Sequence, residues 1–507
     1  MQGLAPLDWA LLGGYLVLVV VIGAWANRRQ RTTEDYTLGG RTMRWWAIGV
    51  SLIATSFSSV ALIDGTGFGF TRGMAYLQLQ IGDLLAIALA CALFIPFFSG
   101  LGLTTAYGYL ERRFGPRVRW VASALFVAQT LLRTGVLVYG PATAISVAMG
   151  LDLDAAILVA GAAAILYSAA GGITAVVWTD LVQFGIVVAG VAASVVIVAG
   201  DVPGGFAAVL DGAREAGTLD LTDWSPALDQ PFTVLWSVVA YGTLAASVAG
   251  TNQQAVQRYL SCRSAREASR AAFLGWGMGL VAVALTLFLG VCLAQWAALA
   301  PDAAAFASDV ARDGGDSALP AFIVHRLPPG LSGLLVAAVF AASMSSMDSA
   351  IHSMSTAVLV DFVRPLRRRP LAEATELRLA RVLTVVFGIA ATALGLVAAR
   401  AETQMVDTLI RWLGYFAGPL LGVFLLGVLS RTANEAGALV GLVCGAGLVA
   451  LAVGRDLPAE WGFHSLWLAP VACAVTWSAG VAASGVAAPP SDERLAGMTW
   501  FTRRPRP

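Results

Sequence analysis

Long apolar runs alternate along the chain with short polar segments, and the polar segments carry most of the arginines. A helix needs about 20 mostly apolar residues to cross a bilayer. By that measure the pattern predicts about thirteen transmembrane helices, over 7–26, 45–66, 75–98, 120–149, 155–170, 178–200, 232–251, 271–298, 331–363, 382–399, 405–429, 436–453 and 466–483. The fold class is therefore an all-α polytopic membrane protein. The two longest connections, 201–231 and 301–330, are too short to hold a second globular core. Whatever the chain does must happen within or across the bilayer.

The arginines set the orientation. Residues 1–6 carry no positive charge, whereas Arg28, Arg29 and Arg31 follow the first run, so this run is not a cleavable signal peptide and its leading end faces outward. Alternating from there, the inner segments collect 24 arginines and the outer ones six: Arg72, Arg214, Arg312, Arg326, Arg400 and Arg455. Such a bias is what the positive-inside rule demands. The expected placement is the cell (plasma) membrane, multi-pass, with the N-terminus outside and the C-terminus cytoplasmic.

Composition agrees. The chain is 58% hydrophobic and 12% charged, about half of the roughly 25% charged share of soluble domains, which excludes a soluble enzyme and a disordered chain. A net charge of +1 offers no basic field for nucleic acid. Three histidines and five scattered cysteines leave little acid–base chemistry and no structural-metal spacing, so the chain is not expected to be an enzyme.

Ionisable groups at membrane depth are expensive and mark function by default. Arg133 lies near the middle of its run, Asp83 and Asp348 well inside theirs, and Asp64 near the outer end of the second run. Asp407 and Arg411, four residues apart, fit a helical ion pair. Around Asp348, helical spacing puts Ser345, Ser349, His352 and Thr356 on one face. This stripe reads either as close interhelical packing or as an oxygen-lined site for a hard cation. The second run is broken in composition: residues 51–59 are rich in small and hydroxylic types, and Asp64-Gly-Thr-Gly-Phe-Gly69 follows. That suggests either a helix interrupted beside a cavity or a close-packed, glycine-rich one.

Several segments resemble the sodium:solute symporter family: Asp35-Tyr-Thr-Leu-Gly-Gly-Arg-Thr-Met-Arg-Trp-Trp46 with Ser51-Leu-Ile-Ala-Thr55, Tyr109-Leu-Glu-Arg-Arg-Phe-Gly115, and Gly171 to Gln183 with its Trp178-Thr-Asp180. Gln257-Arg-Tyr-Leu260, Ser345-Ser-Met-Asp-Ser349 and 418–427 follow in family order. The resemblance implies two inverted five-helix repeats, over 45–200 and 232–430, with an added helix in 1–30, two more in 431–485, and a cytoplasmic tail at 486–507. It implies a sodium (Na+) site built from the carbonyls of Ala54, Phe57 and Ala342 and the hydroxyls of Ser345 and Ser346. Asp180 and Asp348 stand where a second ion or exit site is expected; for Asp180 an acid in the first turn of a helix is the alternative. The solute is expected to meet Ser58, Asp64, Gln129 and Arg133, with Arg133 holding a carboxylate; a structural pair of Arg133 with Asp64 or Asp83 is the alternative. His352 stands where relatives often have Asn, and the Asp64 segment is unlike that of sugar-transporting members. The expected partners are thus a small solute, a sodium ion and the lipid bilayer, and the expected function is sodium-coupled symport. Proton coupling on the same fold and a transporter-like nutrient sensor are the alternatives.

Overall fold

A computed structural model of the protein describes residues 5–28, 30–149, 152–367, 369–400, 416–455, 457–486 and 488–502. Among them the regular structure is helical, with a single bridge between Met43 and Cys262. Ten helices are long and apolar enough to cross a membrane, and two shorter ones, Trp45–Ser56 and Ala417–Leu429, are also apolar. Among the described residues the predicted runs fall on these helices with two mergers; of run 405–429, residues 405–415 lie outside the described residues. Runs 155–170 and 178–200 share the helix Leu153–Asp201, and the second run passes through Ser59 into the stretch Ser59–Gly100. The predicted Asp407–Arg411 pair lies outside the described residues.

The long helix Leu153–Asp201 bends at Gly172, whose φ of 56° suits glycine and strains other residues. A Cβ at Gly172 would sit 2.5 Å from the Tyr36 carbonyl oxygen. The short helix Thr33–Leu38 fills the elbow, and its Tyr36 hydroxyl lies 2.9 Å from Thr384 Oγ1. The bend therefore depends both on a missing side chain and on the plug that uses its space.

Burial sorts the helices. Pro6–Asn27 buries Leu12, Tyr15, Val19, Gly23 and Ala26 and turns Val17 and Val21 outward, as a helix at the rim of a bundle does. Leu331–Ala357 is buried on every side. It is the axis of the molecule, and each of its hydroxyls must find a partner within the protein or in a ligand.

Segments predicted to share a face meet one another. On the arginine-rich face, Arg381 bonds Asn27 (2.8 Å), Arg494 bonds the Phe114 carbonyl (3.2 Å), and buried Arg113 donates to the carbonyls of Gly427, Ser430 and Ala433 beyond the end of Ala417–Leu429. That capping puts a cation at the negative end of a helix. On the opposite face, Asp8 accepts from the amides of Gly330 and Gly333, Arg326 pairs with Asp201, and His464 N donates to the Leu228 carbonyl.

Glycines bring the helices Ser59–Arg72 and Ala265–Leu299 into backbone contact: a Cβ at Gly69 would lie 2.1 Å from Leu287 O, and one at Gly290 would lie 2.1 Å from Thr66 O. Either Gly69→Ala or Gly290→Ala should force these helices apart and lower stability by about 1–3 kcal/mol, the usual cost of overpacking. Gly185→Ala, where nothing lies within 4 Å, should leave it unchanged. Thermal unfolding of the detergent-solubilised protein compares the three.

Candidate ion and solute site

The helix Trp45–Ser56 stops at Phe57, whose backbone (φ −88°, ψ 84°) leaves the helical region, and Ser58 caps the next helix, Ser59–Arg72. The last regular bond is from Phe57 N to Ile53 O (2.7 Å). Past it, the Ala54 and Thr55 carbonyls lack the amides that a continuous helix would have brought. The axial helix supplies hydroxyls instead. Ser345 Oγ lies 2.8 Å from Ala54 O and 3.0 Å from Ala342 O, and Ser346 Oγ lies 2.9 Å from Thr55 O. Four of the five predicted sodium ligands thus gather at the break. Phe57 makes the break itself, and its ring lines an apolar crevice with Val187, Val191 and Leu285. The glycines of 65–69 are not the interruption: they lie within the helix, at the close approach described above.

A cluster of neutral carbonyl and hydroxyl oxygens is suited to a hard cation. Each serine hydroxyl can rotate its proton away and offer a lone pair instead. Elsewhere on the axial helix, Ser343 bonds Ser59 and Ser355 bonds the Ala380 carbonyl, so packing and site readings hold at different positions of one helix.

Beside the break lies a buried charged network. Asp180 and Asp348 are both fully buried. Asp180 Oδ2 accepts from Ser51 Oγ and from Arg258 Nη2 (3.0 Å). Arg258 also reaches Ser51 Oγ (2.7 Å) and Ser349 Oγ (2.6 Å), and Ser349 Oγ lies 3.1 Å from Asp348 Oδ1. Tyr167 donates to Asp348 Oδ2 at 2.6 Å. Asp180 lies two turns beyond the bend at Gly172, within a continuous helix, so the helix-start reading of this acid does not hold. The stripe continues with His352, stacked near Tyr36, and Thr356, which accepts from Gln257.

Arg133 stands near the middle of Pro116–Met149, about 25 Å from either end at 1.5 Å per residue, yet it is exposed. It faces an open cavity lined also by Thr55, Gln129, Thr134, Asn252 and Ser346. Among the described residues no carboxylate lies within salt-bridge distance of it. Asp83, one partner weighed for it, accepts instead from Tyr241 (3.1 Å) and Gln80 (3.2 Å). Ser58 and Asp64 do not line this cavity. Ser58 is buried at the break, and Asp64 is exposed on Ser59–Arg72.

The family model described as "Sodium:solute symporter family" matches residues 36–445. The chain belongs to that family. It is 33% identical to the human sodium-coupled monocarboxylate transporter 1, over 86% of this chain and 72% of that protein. It is 30% identical to the sodium/sialic acid symporter SiaT of Proteus mirabilis (strain HI4320), over 86% of this chain and 87% of that one. Its fold is that of a solved Na+-coupled sialic acid symporter in a substrate-bound, outward-open state, with a TM-score of 0.86 and 24% identity over 96% of this chain and 99% of that one.

Three residues of this family member escaped the sequence reading. Arg258 stands beyond the apolar run, among inner-face arginines, and nothing local shows that it reaches back to Asp180. Tyr167 and Thr55 are unremarkable in their runs; only the packing of Leu153–Asp201 and the broken helix against the axial helix brings them to Asp348 and Ser346. Tyr167→Phe removes one of two donors to a buried carboxylate. It should destabilise the protein by about 1–3 kcal/mol, read as a lower unfolding temperature in detergent; an unchanged temperature would show that the contact contributes nothing.

Proposed function

We propose that this chain carries a small carboxylate-bearing solute together with sodium, by alternating access. The observation that carries this reading is Arg133, a guanidinium without a carboxylate partner among the described residues, exposed to a polar cavity at mid-membrane depth. A charge at membrane depth is costly and marks function, and a planar fork of donors matches a carboxylate. The relatives named above carry monocarboxylates and sialic acid, whose common feature is a carboxylate.

Coupling follows from shared residues. Ser346 and Thr55 line the cavity and also join at the break, where the Ser346 hydroxyl meets the Thr55 carbonyl. A cation drawn to Ala54 O, Ala342 O, Ser345 and Ser346 pulls on the wall against which the solute rests, with Arg133 and Gln129 opposite. Five neutral ligands, Phe57 O among them, would hold a monovalent ion weakly enough to let it go. Asp180 and Asp348 form a second ion or exit site. In this reading the repeats are 45–200 and 232–430, the helices in 1–30 and 431–485 are additions, and the arginine-rich face is cytoplasmic, with the N-terminus outside and the chain in the plasma membrane.

Uptake into proteoliposomes, with and without an inward sodium gradient, tests the reading on a panel of monocarboxylates, amino acids, sugars and vitamins. Carboxylates should accumulate only with sodium, and neutral solutes should not compete. Arg133→Gln should weaken carboxylate recognition by about 2–5 kcal/mol, and Arg133→Lys should also impair it because the fork is lost. If a neutral sugar proves to be the cargo and Arg133→Gln carries it normally, the carboxylate reading is wrong.

The ion site has its own test. Ser345→Ala combined with Ser346→Ala should abolish sodium-dependent uptake in a protein that remains folded, because alanine suits a helix packed by small residues. Asp180→Asn should slow turnover more than it weakens solute binding, measured as a fall in kcat at nearly constant KM.

A further inference from the structure

We propose that Arg258 is a tethered cation that takes the place of an ion between Asp180, Ser51 and Ser349, so that sodium and this guanidinium compete for the same oxygens. The proposal rests on reading Asp180 and Asp348 as an ion site.

The network holds two buried carboxylates and one guanidinium. Asp180 and Asp348 are fully buried, as is Arg258, and among the described residues Asp180 has Arg258 as its ion-pair partner while Asp348 has none. The groups around the Arg258 head are a carboxylate oxygen at 3.0 Å and two hydroxyls at 2.6 and 2.7 Å, from three different helices, and the Gln254 carbonyl of its own helix at 3.0 Å. That is the donor set a hard cation takes. A further acceptor, Asp180 Oδ1, is buried there without a hydrogen-bond partner. The Ser349 hydroxyl also lies 3.0 Å from Thr55 Oγ1 and 2.6 Å from Ser345 O, so the guanidinium stands one hydroxyl away from the oxygens at the helix break.

Arg258 can be withdrawn by the backbone that carries it. It belongs to the helix Gln253–Ser261, joined to the preceding helix through Asn252 in extended conformation (φ −75°, ψ 128°). That short helix is fastened to loops of the arginine-rich face, Gln253 to the Thr104 carbonyl (3.1 Å) and the Ser261 carbonyl to Met43 N (3.1 Å), while Gln257 bonds the Thr37 carbonyl (2.6 Å) of Thr33–Leu38 and Thr356 Oγ1 (3.0 Å) of the axial helix. A movement of those loops that opens the face drags the guanidinium with it. With the head inserted, the acids are answered by a fixed charge; with the head withdrawn, a sodium ion restores the same charge. Asp180 is then never left without a counter-charge in a dry interior, where a bare carboxylate costs several kcal/mol.

Sodium alone is a sufficient probe. Its binding to the purified full-length protein is followed by thermal stabilisation in detergent, with choline replacing sodium at constant ionic strength. If the guanidinium fills the place nine-tenths of the time, it reduces apparent affinity about tenfold. Arg258→Gln should therefore lower the half-saturating sodium concentration about tenfold and steepen the curve. Asp180→Asn combined with Arg258→Gln should erase that gain. Arg258→Lys, a point charge unable to span three oxygens at once, should shift the curve the same way by less, and it serves should Arg258→Gln not fold. A role confined to structure would lower the unfolding temperature without tightening sodium binding. An unshifted or weakened sodium curve in both Arg258 variants overturns the proposal, as does a gain that survives in the double variant. Asp180→Asn alone separates the two readings: weakened sodium binding there, beside unshifted Arg258 variants, keeps the ion site and removes Arg258 as its competitor. A wild-type curve in Asp180→Asn together with unshifted Arg258 variants removes the site itself.

Discussion

A helix that stops in the middle of a membrane leaves carbonyl groups that neither its own backbone nor lipid can satisfy. The break at Phe57 is such a stop, and the rest of the centre is arranged around it. It needs donors at fixed height, which obliges the facing helix to carry serines at positions 345 and 346. Serines are tolerated on every side of that helix only because protein encloses it completely. Enclosure in turn requires close neighbours, and glycines admit them at Gly333, where a Cβ would lie 2.4 Å from Asp8 Cα, and at Gly190, which faces Leu335 and Ala338. The same free carbonyls that would be a defect in a soluble core are ligands when a small cation is the intended occupant.

Charge is treated differently from dipoles. The oxygens at the break are neutral, and the formal charges stand one shell away, in Asp180, Asp348 and Arg258. At the break itself a full carboxylate in direct contact would hold the ion far more firmly than neutral oxygens do, since Coulomb attraction rises steeply as the effective dielectric constant falls. At a remove it adds a field without a tight bond. Arg133 has neither acid as an ion-pair partner and faces the cavity, as its proposed solute role requires.

Features set by local pattern were legible in the sequence. Apolar length marked the helices, arginine placement sorted the loops into two sets that do meet each other, and helical spacing put Ser345 and Ser349 on one face. What could not be read depends on which helix lies against which. The interruption expected from 51–59 and the glycines after it falls within 51–59, whereas the glycines of 65–69 stay helical, because removing a Cβ there lets two backbones touch. The actual break falls at Phe57, an apolar residue with no breaking tendency, because the hydroxyls across from it reward the exposed carbonyls. Asp180 resembled a helix-start acid only while 155–170 and 178–200 were taken as separate helices; once the chain merely bends at Gly172, the acid lies in mid-helix and needs a cation. That cation comes from 78 residues further along the chain, a separation at which no spacing rule operates.

The placement of Thr55 and Ser346 bears on how two cargoes can be linked without touching. Each lines the solute cavity and also contributes an oxygen at the break. For an ion to bind, the Ser346 hydroxyl must abandon its bond to the Thr55 carbonyl and turn toward the cation. The wall of the cavity then changes in the two residues nearest the ion, while Arg133 and Gln129 across the cavity keep their places. A solute that prefers the altered wall binds more tightly when the ion is present, and by linkage the ion binds more tightly with the solute in place. The coupling free energy is therefore bounded by what two rotated hydrogen bonds can supply, about 1–3 kcal/mol. A larger coupling has to come from the helices themselves moving, and the break at Phe57 is where the two halves of the broken helix can move separately.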